Sequence, residues 1–107
     1  MMSESEFNQR VDTMLLHIEE AIDASGADID YENAGGILTL RFEDGSQIVV
    51  NRQTPVRQIW VAARSGGFHF DHAAEADQWQ RDKDGRELLA VLTELASAQA
   101  GEPVALG

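Results

Sequence analysis

The chain contains no cysteine, only two prolines and few basic residues. Without cysteine it cannot form disulfides, thiolate zinc sites or cysteine-ligated clusters, and a thiol nucleophile is excluded. Its apolar runs are only a few residues long, so we predict neither a signal peptide nor a membrane span. These absences lead us to expect a cytoplasmic protein.

Charge is distributed unevenly along the chain. The 107 residues include 19 acidic and 8 basic side chains, which gives a formal net charge of −11. Such a charge repels nucleic acid and anionic membranes and favours cations or basic proteins as partners. The acids concentrate in residues 1–32, where Arg10 is the only Lys or Arg. We therefore expect one strongly acidic end.

Two amphipathic helices are predicted, one near each end of the chain. Ser3 and Glu6 form a capping-box pattern, and apolar residues then recur at helical spacing until a glycine. This pattern predicts a helix from about residue 4 to 25. Asp84 and Glu87 form a second capping-box pattern before a leucine-rich stripe, which predicts the other helix.

Between the helices the apolar period falls to two, which indicates strands joined by tight turns. We expect an edge strand over 28–32 and further strands near 38–42, 47–53, 58–63, 68–70 and Trp79. No connection is long enough for a parallel crossover, so the five- to six-stranded sheet should be mainly antiparallel. Because apolar side chains collect on one sheet face, both helices should pack there. The predicted fold is an α/β (α+β) two-layer sandwich, a single domain of residues 1–107 with a core of about 4–100 and a short tail, 101–107.

Acidic side chains cluster where the first helix meets the edge strand. The candidate metal ligands are Glu19, Glu20, Asp23, Asp28, Asp30 and Glu32. Clustered carboxylates repel one another, and a hard cation relieves this repulsion while favouring oxygen ligands. Iron, manganese, calcium and magnesium are all chemically admissible, and exposed ligands would hold any of them weakly. The alternative is a solvated acidic face without metal.

An exposed tryptophan is predicted on the uncovered face of the sheet. Trp60 lies between two aliphatic residues that must point inward, so its own side chain should face solvent. With Asn51, Arg52 and Gln58 nearby, it resembles the aromatic and arginine anchors of protein interfaces. The alternative is that a loop or a second copy covers it.

The sequence matches none of the more specific motifs for metal binding or catalysis. The acidic repeat that starts at Asp28 begins like a calcium loop, but Asn33 stands where the sharp turn needs glycine. The Glu-x-x-His pairs of di-iron bundles are absent. His69 is predicted in a strand and His72 in a loop, as two surface histidines. Nothing in the sequence argues for an enzyme.

The run Asn51–Ala62 (NRQTPVRQIWVA), followed by Gly66–Phe70 (GGFHF), closely resembles the signature of the frataxin family in its bacterial form. The acidic first helix, the Gly35-Gly36 turn and the closing helix follow in the family's order, so the resemblance covers nearly the whole chain. It implies the same two-layer sandwich.

The resemblance implies more than the residues alone indicate. Bacterial frataxins are associated with iron-sulfur cluster assembly, bind ferrous and ferric iron at the acidic helix and edge strand, and bind the cysteine desulfurase. Carried over by position, the six carboxylates become the edge for weakly and exchangeably bound iron and for the basic desulfurase. The family's sheet surface for the iron-sulfur scaffold protein becomes Asn51, Gln53, Gln58 and Trp60. Residues 24–27 are less acidic than in some relatives, which leaves iron stoichiometry and affinity open.

The leading hypothesis is an iron-binding adaptor that regulates iron-sulfur cluster assembly, as a monomer or as an iron-dependent oligomer. One alternative is a ferroxidase that stores iron as ferric mineral. The other is an interaction domain without a metal. The sequence leaves open whether the desulfurase is activated or inhibited.

Overall fold

The computed structural model describes residues 2–107. Two helices enclose the strands in sequence. The elements are α1 Glu4–Ser25, β1 Asp30–Ala34, β2 Ile37–Arg41, β3 Gln47–Gln53, a short 3-10 helix Thr54–Val56, β4 Gln58–Ala63, β5 Gly66–Ala73, β6 Gln78–Arg81 and α2 Leu88–Ala100.

Helix α1 has the bounds that its sequence predicts. The Ser3 hydroxyl accepts a hydrogen bond from the amide of Glu6 at 3.1 Å, and Gly26 ends the helix with a left-handed φ of 70°. Its buried stripe is Phe7, Val11, Leu15, Ile18 and Ile22. Over the described residues, no helix is long and apolar enough to cross a membrane.

The six strands form one sheet in the order β1 to β6, and each neighbouring pair is antiparallel. Gly35 and Gly36 join β1 to β2 with φ values of 62° and 80°, the left-handed pair that a type I′ hairpin turn requires. The buried sheet residues share one cluster with those of both helices. They are Leu38, Leu40, Ile48, Val50, Ile59, Val61, Phe70 and Trp79. The predicted two-layer sandwich is confirmed.

The edge strand begins two residues later than predicted. The amide of Ile29 donates to the carbonyl of Ala27 at 2.9 Å, so the chain is still turning at Asp28. Pairing with β2 starts only at Asp30, opposite Arg41. Asp28 therefore lies in the connection between α1 and β1.

Helix α2 also begins later than the second capping-box pattern predicts. Glu87 is the N-cap, and its carboxylate accepts a hydrogen bond from the amide of Leu89. Asp84 is instead bound by the guanidinium of Arg81 at 2.9 and 2.5 Å, and these hydrogen bonds lower the pKa of Asp84 to about 2. The prediction that Asp84 caps α2 is wrong, because its carboxylate is bound to β6.

The segment after α2 contributes to the core. Val104 and Leu106 are buried in the same cluster as the sheet residues. The amide of Val104 donates to Ser97 Oγ at 3.0 Å, and the amide of Leu106 donates to Thr93 Oγ1 at 3.2 Å. The core therefore extends beyond residue 100, where the sequence predicted its end.

Candidate functional site

The acidic face of α1 is tied to the edge strand by two hydrogen bonds. The Tyr31 hydroxyl donates to Asp23 Oδ2 at 2.8 Å, and Asn33 Nδ2 donates to Glu19 Oε2 at 3.2 Å. The hydrogen bond to Asp23 raises the pKa of Tyr31, with a smaller contribution from its partial desolvation. Glu19 and Asp23 thus lie beside the helix-facing side of β1.

The strand acids point to the other side of β1. Successive side chains of a strand alternate between its faces, so Asp30 and Glu32 project away from the side that carries Tyr31. Consistent with this, Glu32 Oε1 lies 3.1 Å from Arg41 Nη2, on the outer face of β2. The six candidate ligands therefore share one edge of the molecule but do not form one cluster.

The acidic edge contains no preformed metal cage among the described residues. Within residues 2–107, no three His, Cys, Asp or Glu side chains converge on a point that could hold a metal ion. Among the six candidate carboxylates, only Glu32 takes part in an ion pair in this part of the chain. The six carboxylates therefore form no preformed cage, and any hard cation held at this edge would take most of its ligands from water.

Trp60 lies on the outer face of the sheet, as predicted, with 37% of its surface exposed. Asn51 stands opposite it on β3 and His69 on β5, so the three form a row across neighbouring strands. The indole stacks on the His69 ring with centroids 4.4 Å apart, and its Nε1 donates to Gln58 Oε1 at 2.9 Å. The stacking and the hydrogen bond together fix the orientation of the indole within the row.

A second polar row runs beside the first. Gln53, Gln58 and Asp71 face one another across β3, β4 and β5, and Gln58 Nε2 donates to Asp71 Oδ1 at 3.1 Å. The sequence placed His69 on this face but missed it as a member of the site. Strand alternation gives its face, whereas its stacking on Trp60 depends on the register of the β4–β5 hairpin.

Arg52 does not lie beside Trp60. It shares the inward face of β3 with Val50, and 18% of its side chain is exposed. Its guanidinium reaches α1, where Nη2 contacts Asp12 Oδ1 at 2.5 Å and Nη1 donates to Asn8 Oδ1 at 3.0 Å. The predicted placement of Arg52 beside Trp60 is wrong, because residues 51 and 52 point to opposite sides of a strand.

His72 is not a surface residue in a loop. Strand β5 continues to Ala73 and pairs His72 with Trp79, and the His72 side chain is only 4% exposed. Its ring packs edge-on against Trp79 with centroids 5.2 Å apart, and Nε2 lies 3.0 Å from Asp77 Oδ1. The polar residues after Phe70 suggested a loop, but they lie in the β5–β6 hairpin, where Asp77 is the partner of His72.

Together these features define a small α+β protein with two open surfaces, an acidic helix edge and an aromatic sheet face. A family model for the frataxin-like domain matches residues 1–102. The chain therefore belongs to the frataxin family.

Known relatives agree over the full length. The iron-sulfur cluster assembly protein CyaY of Vibrio cholerae is 50% identical over 103 residues, which cover 96% of this chain and 97% of that protein. The structure of frataxin from Psychromonas ingrahamii superimposes with a TM-score of 0.91 at 39% identity over 99% of each chain. Trimeric yeast frataxin complexed with ferrous iron gives a TM-score of 0.68 at 29% identity, covering 95% of this chain and 89% of the yeast chain.

Proposed function

We propose that this chain is a cytoplasmic iron-binding adaptor of iron-sulfur cluster assembly. In this proposal the acidic face of α1 docks on the cysteine desulfurase and modulates sulfur transfer. The Trp60 row contacts the iron-sulfur scaffold protein. The names of the curated relatives support the pathway, and the iron complex of the yeast relative supports the metal.

One observation carries the docking proposal. Within residues 2–107, Glu19, Glu20 and Asp23 lie on one helix face without an ion-pair partner. A cluster of like charges is unfavourable in the free protein, and a basic surface would relieve its repulsion. Such complementarity speeds encounter and makes binding sensitive to salt.

We expect the variant Glu19→Lys, Glu20→Lys, Asp23→Lys to bind purified desulfurase about tenfold more weakly at physiological salt, because it puts positive charges against a basic surface. Titration at several salt concentrations should also show a smaller salt dependence. The matched control is Glu43→Lys, Glu75→Lys, Glu102→Lys, which makes the same change in net charge at exposed sites elsewhere. Equal affinities of the two triple variants would contradict docking through α1. A sulfide-production assay of the same samples would show whether docking activates or inhibits the enzyme.

The helix acids and the strand acids lie on opposite sides of β1, so we expect iron to bind each group separately. Anaerobic Fe²⁺ should broaden NMR signals near Glu19 and Asp23 and, independently, near Asp30 and Glu32. The variant Glu19→Gln, Glu20→Gln, Asp23→Asn should lose the broadening on the helix and keep that on the strand, because each group binds separately and weakly. Loss of both together would indicate one shared site.

Admission of oxygen to the same samples separates the adaptor from an iron-storing ferroxidase. An adaptor should leave the rate of ferrous oxidation at that of buffer, whereas a ferroxidase should oxidise many equivalents of iron per chain. Absence of broadening on either carboxylate group would instead favour an interaction domain without a metal.

A further inference from the structure

Leu16 is an exposed leucine in the middle of an acidic helix face. Leu16 is 55% exposed, whereas the aliphatic residues of the buried stripe of α1 are almost fully covered. Asp12 precedes it by four residues, and Glu19, Glu20 and Asp23 follow by three, four and seven. Residues three or four apart are neighbours on a helix surface, so Glu19 and Glu20 lie beside Leu16 on one side and Asp12 on the other, with Asp23 a further turn along the same face. The Asp12 carboxylate is paired with Arg52, which leaves the carboxylates of Glu19, Glu20 and Asp23 as the charges free of an ion pair near Leu16 within residues 2–107.

An apolar residue with charged neighbours resembles the arrangement found in protein interfaces. Interfaces typically place an apolar anchor at the centre and polar or charged groups at the rim, where they exclude water from the anchor. Leu16 gains little free energy on folding where it stands, because most of its surface stays in water. Its apolar surface is therefore available to be buried by a partner.

We propose that Leu16 is the apolar anchor with which the acidic face of α1 inserts into an apolar recess on a basic protein surface. The inference rests on the proposed docking function and assigns a second, uncharged contact to the same face. Charge complementarity selects a basic protein as the occupant, since the carboxylates around Leu16 repel anionic surfaces. The carboxylates set the rate of encounter, and Leu16 sets the lifetime of the complex.

The test compares Leu16→Ala with the unmodified chain in surface-immobilised binding to purified desulfurase. Removing the branched end of a leucine that becomes buried should raise the dissociation rate about tenfold. The association rate and its salt dependence should stay unchanged, because no charge is altered. Leu16→Met should restore most of the lifetime, since it keeps the apolar volume.

The matched control is Val56→Ala, which truncates another exposed aliphatic residue, 56% exposed in the short 3-10 helix. This variant should dissociate like the unmodified chain. Leu16→Ala should also fold normally, because alanine is the best helix former and the site is exposed.

Two results would overturn the inference. An unchanged dissociation rate for Leu16→Ala would show that the leucine is not buried in the complex. A change of equal size for Val56→Ala would show that the effect is not specific to the acidic face. If the lysine variants of α1 still weaken binding in either case, the proposed docking function survives and only the role of Leu16 fails. If none of these variants alters binding, docking through α1 fails as well.

Discussion

Leu106→Ala is expected to lower the free energy of unfolding by about 3 kcal/mol, although it lies next to the last residue of the chain. Its side chain is 1% exposed within the core cluster, and the amide of Leu106 is held by Thr93 Oγ1 at 3.2 Å. Truncation removes buried apolar surface and leaves a cavity between the tail and α2. In thermal unfolding the midpoint should fall by roughly 12 °C.

The chain contains its own control for this measurement. Leu16→Ala makes the same chemical change at an exposed position of α1 and should alter the free energy of unfolding by less than about 0.5 kcal/mol. Similar midpoints for the two variants would mean that the tail is not docked in solution. A large loss of unfolding free energy for Leu106→Ala alone would show that the tail stabilises the core against which α1 packs.

Gln99→Met is expected to lower the free energy of unfolding by about 2 kcal/mol. Gln99 is a buried polar residue on α2, 6% exposed, and its carboxamide makes hydrogen bonds to two separate turns. Its Oε1 accepts from the amide of Arg64 at 3.1 Å, and its Nε2 donates to Ser46 Oγ at 2.9 Å and to the carbonyl of Gln47 at 3.2 Å. Methionine fills a similar volume but leaves these backbone groups without a partner.

Denaturant unfolding measures this loss, and hydrogen exchange locates it. The amide of Arg64 should exchange faster in Gln99→Met, because its acceptor is gone. Gln9→Met, at an exposed position of α1, is the matched control and should leave both measurements nearly unchanged. An equal effect at both positions would argue against a specific clamp between α2 and the two hairpins.

The core positions of Leu106 and Gln99 help to hold the two candidate surfaces in place. The acidic face depends on the packing of α1 against the sheet, and the Trp60 row depends on strand register. Gln99 links α2 to the β2–β3 and β4–β5 hairpins, which include the strands of the row. Loss of these hydrogen bonds should therefore disturb the Trp60 row more than the acidic face of α1.

The sequence by itself determined the features that depend on local periodicity. The bounds of α1 follow from Ser3 and Gly26, which act through backbone groups a few residues away. The outward position of Trp60 follows from strict alternation along β4. Family membership was also readable, because the matching motifs are contiguous in the chain.

The tertiary structure decided everything that depends on which distant group a side chain meets. The helix acids face Tyr31 and Asn33 while Asp30 and Glu32 project from the other side, because α1 packs against only one face of β1. Leu106 enters the core because residues beyond α2 fold back against it. Periodicity assigns a residue to a face of its own helix or strand. Long-range packing determines which residue of another element that face contacts.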